Sequence, residues 1–251
     1  MGKSVLVIDS GVGGLTTLAA IRKKLEHIDV IYFADDNFLP YGDKSENELA
    51  FHICDIISLF ESQICAVVLA CNTATGVSVE LARKLFCLPI IGTEPAVLPA
   101  CRGNGRVAVL VTPLEAKQPK FKRLVGGKDV VVFEMKTLAK TIDDCLVEGE
   151  GVGALLKSNE LLEQIDALKS GLCKKNIDSV VLGCTHYVFL KFTDLLLDFD
   201  LFDGNEGVAK RLCSFVENRG SGETKILFGS GNNKKSQIAL RLLNELLDFG
   251  F

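Results

Sequence analysis

The 251-residue chain has no apolar run approaching the roughly 20 residues that a membrane-spanning helix needs, and residues 1–8 run straight into a motif, too short for a secretory leader. Its 28 Lys and Arg form no long basic run and are outnumbered by 32 Asp and Glu, for a formal net charge of -4. That balance gives no footing for general nucleic-acid or membrane affinity, so a small anionic ligand needs a local site. Histidine is scarce, with three in the whole chain, and none of the nine cysteines belongs to a C-x-x-C pair. A zinc site and a disulfide framework are both disfavoured by that pattern, and the expected location is cytoplasmic.

Two nucleotide signatures are also incomplete. Asp9-Ser10-Gly11-Val12-Gly13-Gly14 follows an apolar run and opens a helical pattern, but a dinucleotide fingerprint needs glycine where Thr16 stands, and the Gly-Lys-Ser/Thr of a P-loop is absent. The glycines then read as a tight turn with a close helix start. Asp9 either polarises a neighbouring thiol or is a plain helix-terminal carboxylate.

What is present is alternation. Short runs rich in Val, Ile and Leu recur at 4–8, 30–33, 66–70, 88–92, 106–111, 129–133, 179–183, 200–202 and 225–228. Continuous apolar runs of this length mark strands covered on both faces of a parallel sheet. Between them, helical periodicity covers 15–25, 46–62, 77–86, 138–146, 159–174, 206–218 and 234–247, and Ser45-Glu46-Asn47-Glu48 has the form of a capping box. This predicts an α/β fold. Two halves are expected, 1–93 with 205–251 and 94–204, each with a mostly parallel sheet and with the functional cleft between them.

The halves carry matched segments: Val67-Val68-Leu69-Ala70-Cys71-Asn72-Thr73 and Val180-Val181-Leu182-Gly183-Cys184-Thr185-His186. Each ends a buried-strand pattern on a small residue and then delivers a cysteine among hydroxyl, amide or imidazole groups. A thiol exchanges protons near neutral pH once its pKa is tuned, and inversion of a stereocentre needs one acid/base group on each face of a planar carbanion. Asn72, Thr73 and Thr185 supply donors for a carboxylate or a developing enolate. Most other cysteines, such as Cys54, Cys65, Cys87 and Cys145, sit in apolar stretches and read as small buried hydrophobes. His186 is either a proton partner of Cys184 or a structural histidine. His27 and His52 read as structural or solvated. Glu148, before a glycine-rich connection, either reaches the cleft or is solvated. Pro40-Tyr41-Gly42 is a rigid turn whose amides and hydroxyl suit a carboxylate.

Together, Asp9-Ser10-Gly11-Val12-Gly13-Gly14, Pro40-Tyr41-Gly42, Ala70-Cys71-Asn72-Thr73-Ala74, Glu94-Pro95-Ala96 and Gly183-Cys184-Thr185-His186-Tyr187 resemble the glutamate racemases of the aspartate/glutamate racemase superfamily, in order and in approximate spacing. The resemblance implies two pseudosymmetric α/β domains and interconversion of L- and D-glutamate without pyridoxal phosphate or metal, D-glutamate feeding peptidoglycan synthesis. It implies Cys71 as the base toward D-glutamate and Cys184 toward L-glutamate, with Asp9, Glu148 and His186 as auxiliary acid/base groups. Ser10, Pro40, Tyr41, Gly42, Asn72, Thr73, Thr112 and Thr185 match substrate-binding positions. The implied partner is the amino-acid substrate, with no cofactor, nucleic acid or membrane, and a homodimer is left open. Three positions depart from the family pattern: Glu115 stands where a second threonine is typical, Phe38 where arginine is frequent, and Val188 where proline follows Tyr187. They leave open a relative acting on aspartate or a related acid, or a catalytically silent regulatory relative.

Overall fold

The computed structural model describes residues 3–39, 41, 44–103 and 105–249. Among the described residues the strands are β1 (Ser4–Asp9), β2 (Val30–Ala34), β3 (Ile64–Leu69), β4 (Ile90–Gly92), β5 (Val107–Val111), β6 (Val130–Glu134), β7 (Ser179–Leu182), β8 (Asp200–Phe202) and β9 (Thr224–Phe228). The helices are α1 (Leu15–Lys24), α2 (Glu46–Phe60), α3 (Asn72–Leu85), α4 (Val97–Ala100), α5 (Pro113–Lys117), α6 (Pro119–Val125), α7 (Leu138–Glu148), α8 (Asn159–Lys174), α9 (Asn205–Cys213) and α10 (Asn233–Asp248).

All strand pairings are parallel. One sheet has the order β4-β3-β1-β2-β9 and the other β6-β5-β7-β8. Reversed, the second sheet reads β8-β7-β5-β6, the same winding as the first four strands. This is the pseudosymmetry that the twinned segments predict. In each sheet the chain lays one strand on one side of the founding strand, then crosses to the other side. The switch falls between β1 and β3 in one sheet and between β5 and β7 in the other, and crevices beyond the carboxyl ends of such strands are where ligands gather.

Side-chain alternation builds the layers. Val5 and Val7 of β1 join one core with Ala66 and Val68, while Leu6 and Ile8 turn to the opposite face with Val67 and Leu69. The first of these cores is continuous with Ala108, Leu110, Val180 and Leu182, so one apolar body runs through both sheets. Each fully buried Leu, Ile or Val side chain there contributes about 1.5–3 kcal/mol of transfer free energy. α1 packs against α9 and α10, and α10 against α7. A buried hydrogen bond of 2.6 Å from Thr17 Oγ1 to Asn205 Oδ1 ties the first helix to the returning chain.

Local signals explain the helix starts. Ser45 Oγ accepts the Glu48 N–H, as the capping box predicts, and Ser158 and Asn232 cap α8 and α10 in the same way. Helix α3 starts five residues before the expected point because its cap is a thiol: Cys71 Sγ accepts the Ala74 N–H at 3.5 Å. α9 stops at Cys213, short of the periodicity that runs to 218. No helix among the described residues is long and apolar enough to cross a membrane.

Candidate active site

Asp9, the last residue of β1, is fully buried, with Oδ1 accepting the Gly11 N–H at 2.9 Å and Oδ2 accepting the Thr185 hydroxyl at 3.0 Å. The second bond crosses from one sheet's loops to the other's. Burial raises the Asp9 carboxyl above its ordinary range, against the opposing field of His186. The glycines beside it serve that crossing. A Cβ at Gly13 would lie 2.5 Å from Thr185 Oγ1 and 2.6 Å from His186 Nδ1, and one at Gly11 would lie 2.6 Å from Asp143 Oδ1. The loop is therefore moulded to the opposite strand end, which is why its glycines match no phosphate-binding spacing. Ser10 follows at the turn, half-buried.

Cys71 lies two residues past the end of β3 and is 8 % exposed. Burial and then the neighbouring Asp9 push its thiol well above the ordinary value, against the pull of the Ala74 N–H, with Cys184 and Glu115 adding to the rise. Asn72 and Thr73, the first two residues of α3, are buried beside it. Thr73 Oγ1 stands 3.2 Å from Thr112 Oγ1, the cap of α5 past the end of β5. Cys71, Asn72, Thr73 and Thr112 thus meet at the two switch points.

Cys184 is 9 % exposed past the end of β7. His186 Nδ1 lies 3.9 Å from its sulfur, and His186 Nε2 lies 2.8 Å from Asp143 Oδ1, which also accepts the Val12 N–H at 3.2 Å. Burial opposes charge on His186, but the bonds to Asp143 and Cys184 outweigh it and drive its pKa well up. Burial also opposes charge on Asp143, and the His186 bond overcomes it and holds that carboxyl below its usual value. Asp143 sits on α7 and carries no motif, so sequence pattern alone gives it no role.

Glu148, on the same helix, does not join this cluster: it is exposed, with its field felt at Lys140. Five residues turn a helix by about 500°, which places Glu148 some 140° around the axis from Asp143. Tyr41 is buried, and its hydroxyl donates to Asp35 Oδ2 at 2.8 Å, an oxygen that His52 Nε2 also approaches at 2.8 Å. Phe38 stacks on His52 with ring centroids 3.7 Å apart. His52 is therefore a strut behind the Tyr41 turn, and Pro40 and Gly42 lie outside the described residues. Of the cysteines expected to be buried, Cys54 is buried and Cys65 and Cys145 are half-buried, but Cys87 is exposed, because α3 ends at Leu85 and leaves it in the following turn.

A cavity of about 720 Å³ lies where the chain crosses between sheets, lined by Arg83, Ile91, Glu94, Asp203, Arg211 and Phe215, none of them part of the cysteine cluster. A smaller one, about 350 Å³, reaches Asn72 and Glu115.

A family model for Asp/Glu/Hydantoin racemase matches residues 18–208. Glutamate racemase from Leptospira borgpetersenii is 33% identical over 263 residues, covering 97% of this chain and 95% of the relative. Glutamate racemase from Clostridium acetobutylicum is 34% identical over 261 residues, covering 96% of each. Among solved structures, Escherichia coli glutamate racemase in complex with L-glutamate and the activator UDP-MurNAc-ala superposes with a TM-score of 0.80 at 26% identity, covering 98% of this chain and 96% of that one.

Proposed function

The chain belongs to the Asp/Glu/hydantoin racemase family, and we propose that it is a cofactor-independent glutamate racemase that interconverts L- and D-glutamate through two opposed cysteines and supplies D-glutamate for peptidoglycan. One observation carries the reading: two buried thiols stand at equivalent strand ends of two sheets wound in the same order, Cys71 within the field of Cys184.

Cys184 removes the α-proton of L-glutamate, breaking C–H and forming S–H, while Cys71 gives its thiol proton to the opposite face of the carbanion. The reverse direction exchanges the roles. The imidazolium of His186, held by Asp143, stabilises negative charge on the Cys184 sulfur. Ser10, Asn72, Thr73, Thr112, Thr185 and the Pro40-Tyr41-Gly42 turn hold the substrate's carboxylates, and donors aimed at the enolate-like charge raise the rate because that charge exists only near the transition state. The proposed domain division, 1–93 with 205–251 against 94–204, is supported by the crossings after β4 and after β8.

The test is racemisation of L-glutamate by reduced, folded protein in heavy water with no added cofactor, followed by optical rotation and α-deuterium incorporation. Both signals are expected. Their absence with L-glutamate but presence with L-aspartate would transfer the assignment to aspartate, and their absence with both would leave a catalytically silent relative.

A further inference from the structure

Glu115 is a charged residue type in a buried place where one of its carboxyl oxygens has no partner among the described residues. It is 5 % exposed, in the first turn of α5, and its Oε2 is buried with no hydrogen-bond partner among the described residues. Buried polar atoms are almost always paired, so an orphaned carboxyl oxygen asks what its partner is. The backbone ties it to the cysteine turn. Glu115 N–H donates to Thr112 Oγ1 at 3.3 Å, and that same hydroxyl meets Thr73 at 3.2 Å, so Glu115 is one hydrogen-bonded residue removed from the Cys71 turn. Its field reaches the Cys71 thiol. It also lines the cavity of about 350 Å³ whose other walls include Asn72, Thr93, Glu94 and Lys120.

We propose that Glu115 is a specificity-determining residue of the active site, its free carboxyl oxygen Oε2 being the group that reads a carboxylate of the bound amino acid. This rests on the racemase reading. Chemistry restricts the form in which Glu115 does so. Two carboxylates in hydrogen-bond contact share a proton, since both cannot stay ionised side by side, so Glu115 must enter as a neutral acid that donates. Its surroundings keep it neutral: burial raises its pKa to about 8, Lys120 on α6 opposes the rise, and Glu94 on the crossing segment adds to it. Lys120 is itself drawn to Glu94 at 2.5 Å. The remaining charged group lining this pocket is Arg123 on α6, and Cys71, outside that lining, lies within the field of Glu115. Unlike the hydroxyls of Thr73 and Thr112, which stay neutral, Glu115 is a donor that titrates. Below about pH 8 Glu115 donates, and above it the group becomes an anion that repels the substrate.

The experiment compares wild type, Glu115→Gln and Glu115→Thr from pH 6.5 to 9.5. It measures KM for racemisation of glutamate in both directions and, independently of turnover, the Kd for D-glutamate by calorimetry. Because one pH unit above a pKa leaves about a tenth of a group protonated, wild-type KM and Kd are expected to rise about tenfold from pH 7 to 9 relative to Glu115→Gln. At pH 9 both variants should bind D-glutamate more tightly than wild type, and kcat should move less than KM. A constant wild-type-to-variant ratio of Kd across this range, with all three proteins folded by circular dichroism, would overturn the proposal. Binding with the expected pH dependence but no racemisation would uphold Glu115 and refute the racemase reading. No glutamate binding at any pH would overturn both.

Discussion

At the end of β3, Cys71 caps a helix with its own sulfur in surroundings that resist negative charge on it, through burial first and then the buried carboxyl at Asp9 and the other thiol. At the end of β7, Cys184 faces an imidazole that Asp143 holds from behind. The strands and the small residue before the cysteine are alike, a threonine follows within two residues of each, and the sheets are wound in the same order. The difference lies in what the rest of the fold brings to each turn. A two-base racemisation needs that inequality: one sulfur must hold a proton while the other is free to take one. In the proposed mechanism Cys71, where burial and Asp9 oppose a thiolate, is the sulfur that holds the proton, and Cys184 beside His186 is the one that takes the α-proton of L-glutamate.

The largest effect expected from breaking this comparison comes from removing either thiol. Cys71→Ala and Cys184→Ala should each lower racemisation at least about a thousandfold, roughly 4 kcal/mol of transition-state stabilisation, by polarimetric initial rates. Near-normal turnover by either variant would remove that cysteine from the mechanism. Next comes the cation beside Cys184. Asp143→Asn removes the charge that sustains His186, so kcat should fall about 10- to 100-fold with a smaller change in KM, and the high-pH limb of the rate profile should move to lower pH. Asp143→Glu should recover part of the loss. A larger loss in Glu148→Gln than in Asp143→Asn would return the auxiliary role to Glu148.

Stability carries a smaller imprint of the same asymmetry. A histidine whose folded pKa is raised stabilises fully below its unfolded value of about 6.5, and that contribution is lost as pH rises through the folded value. The urea midpoint of wild type should therefore decline above pH 6.5 more steeply than that of Asp143→Asn. The smallest effect expected lies away from both turns, where Thr17→Ala removes the buried bond to Asn205 and should cost about 1–2 kcal/mol in urea unfolding.

The strands were legible because buried parallel strands announce themselves as continuous β-branched runs, and all nine expected strands are present with ends shifted by a residue or two. Both cysteine turns were legible because the same pattern ends at both. The start of α3 was not, because Thr73, Thr75 and Gly76 are poor helix formers and a thiol is an unusual cap. α5 and α6 are each under two turns, too short for periodicity, although Pro113 and Pro119 at their first positions were usable start signals. Asp143 was invisible for a different reason. Its partner is 43 residues away, and only the packing of α7 against the turn after β7 brings them together. The long-range pairs that tune a proton-transfer group are set by tertiary geometry, whereas the group itself is advertised by its local strand end.

The most direct test of two opposed, unequal sulfurs is the fate of the α-hydrogen at early times in heavy water. With L-glutamate as substrate, a two-base mechanism predicts that the first D-glutamate formed carries deuterium at Cα while unreacted L-glutamate keeps protium, by proton NMR of the separated enantiomers. D-glutamate that retains the original protium, or L-glutamate that exchanges as fast as product appears, would mean that one group serves both faces, and would contradict it.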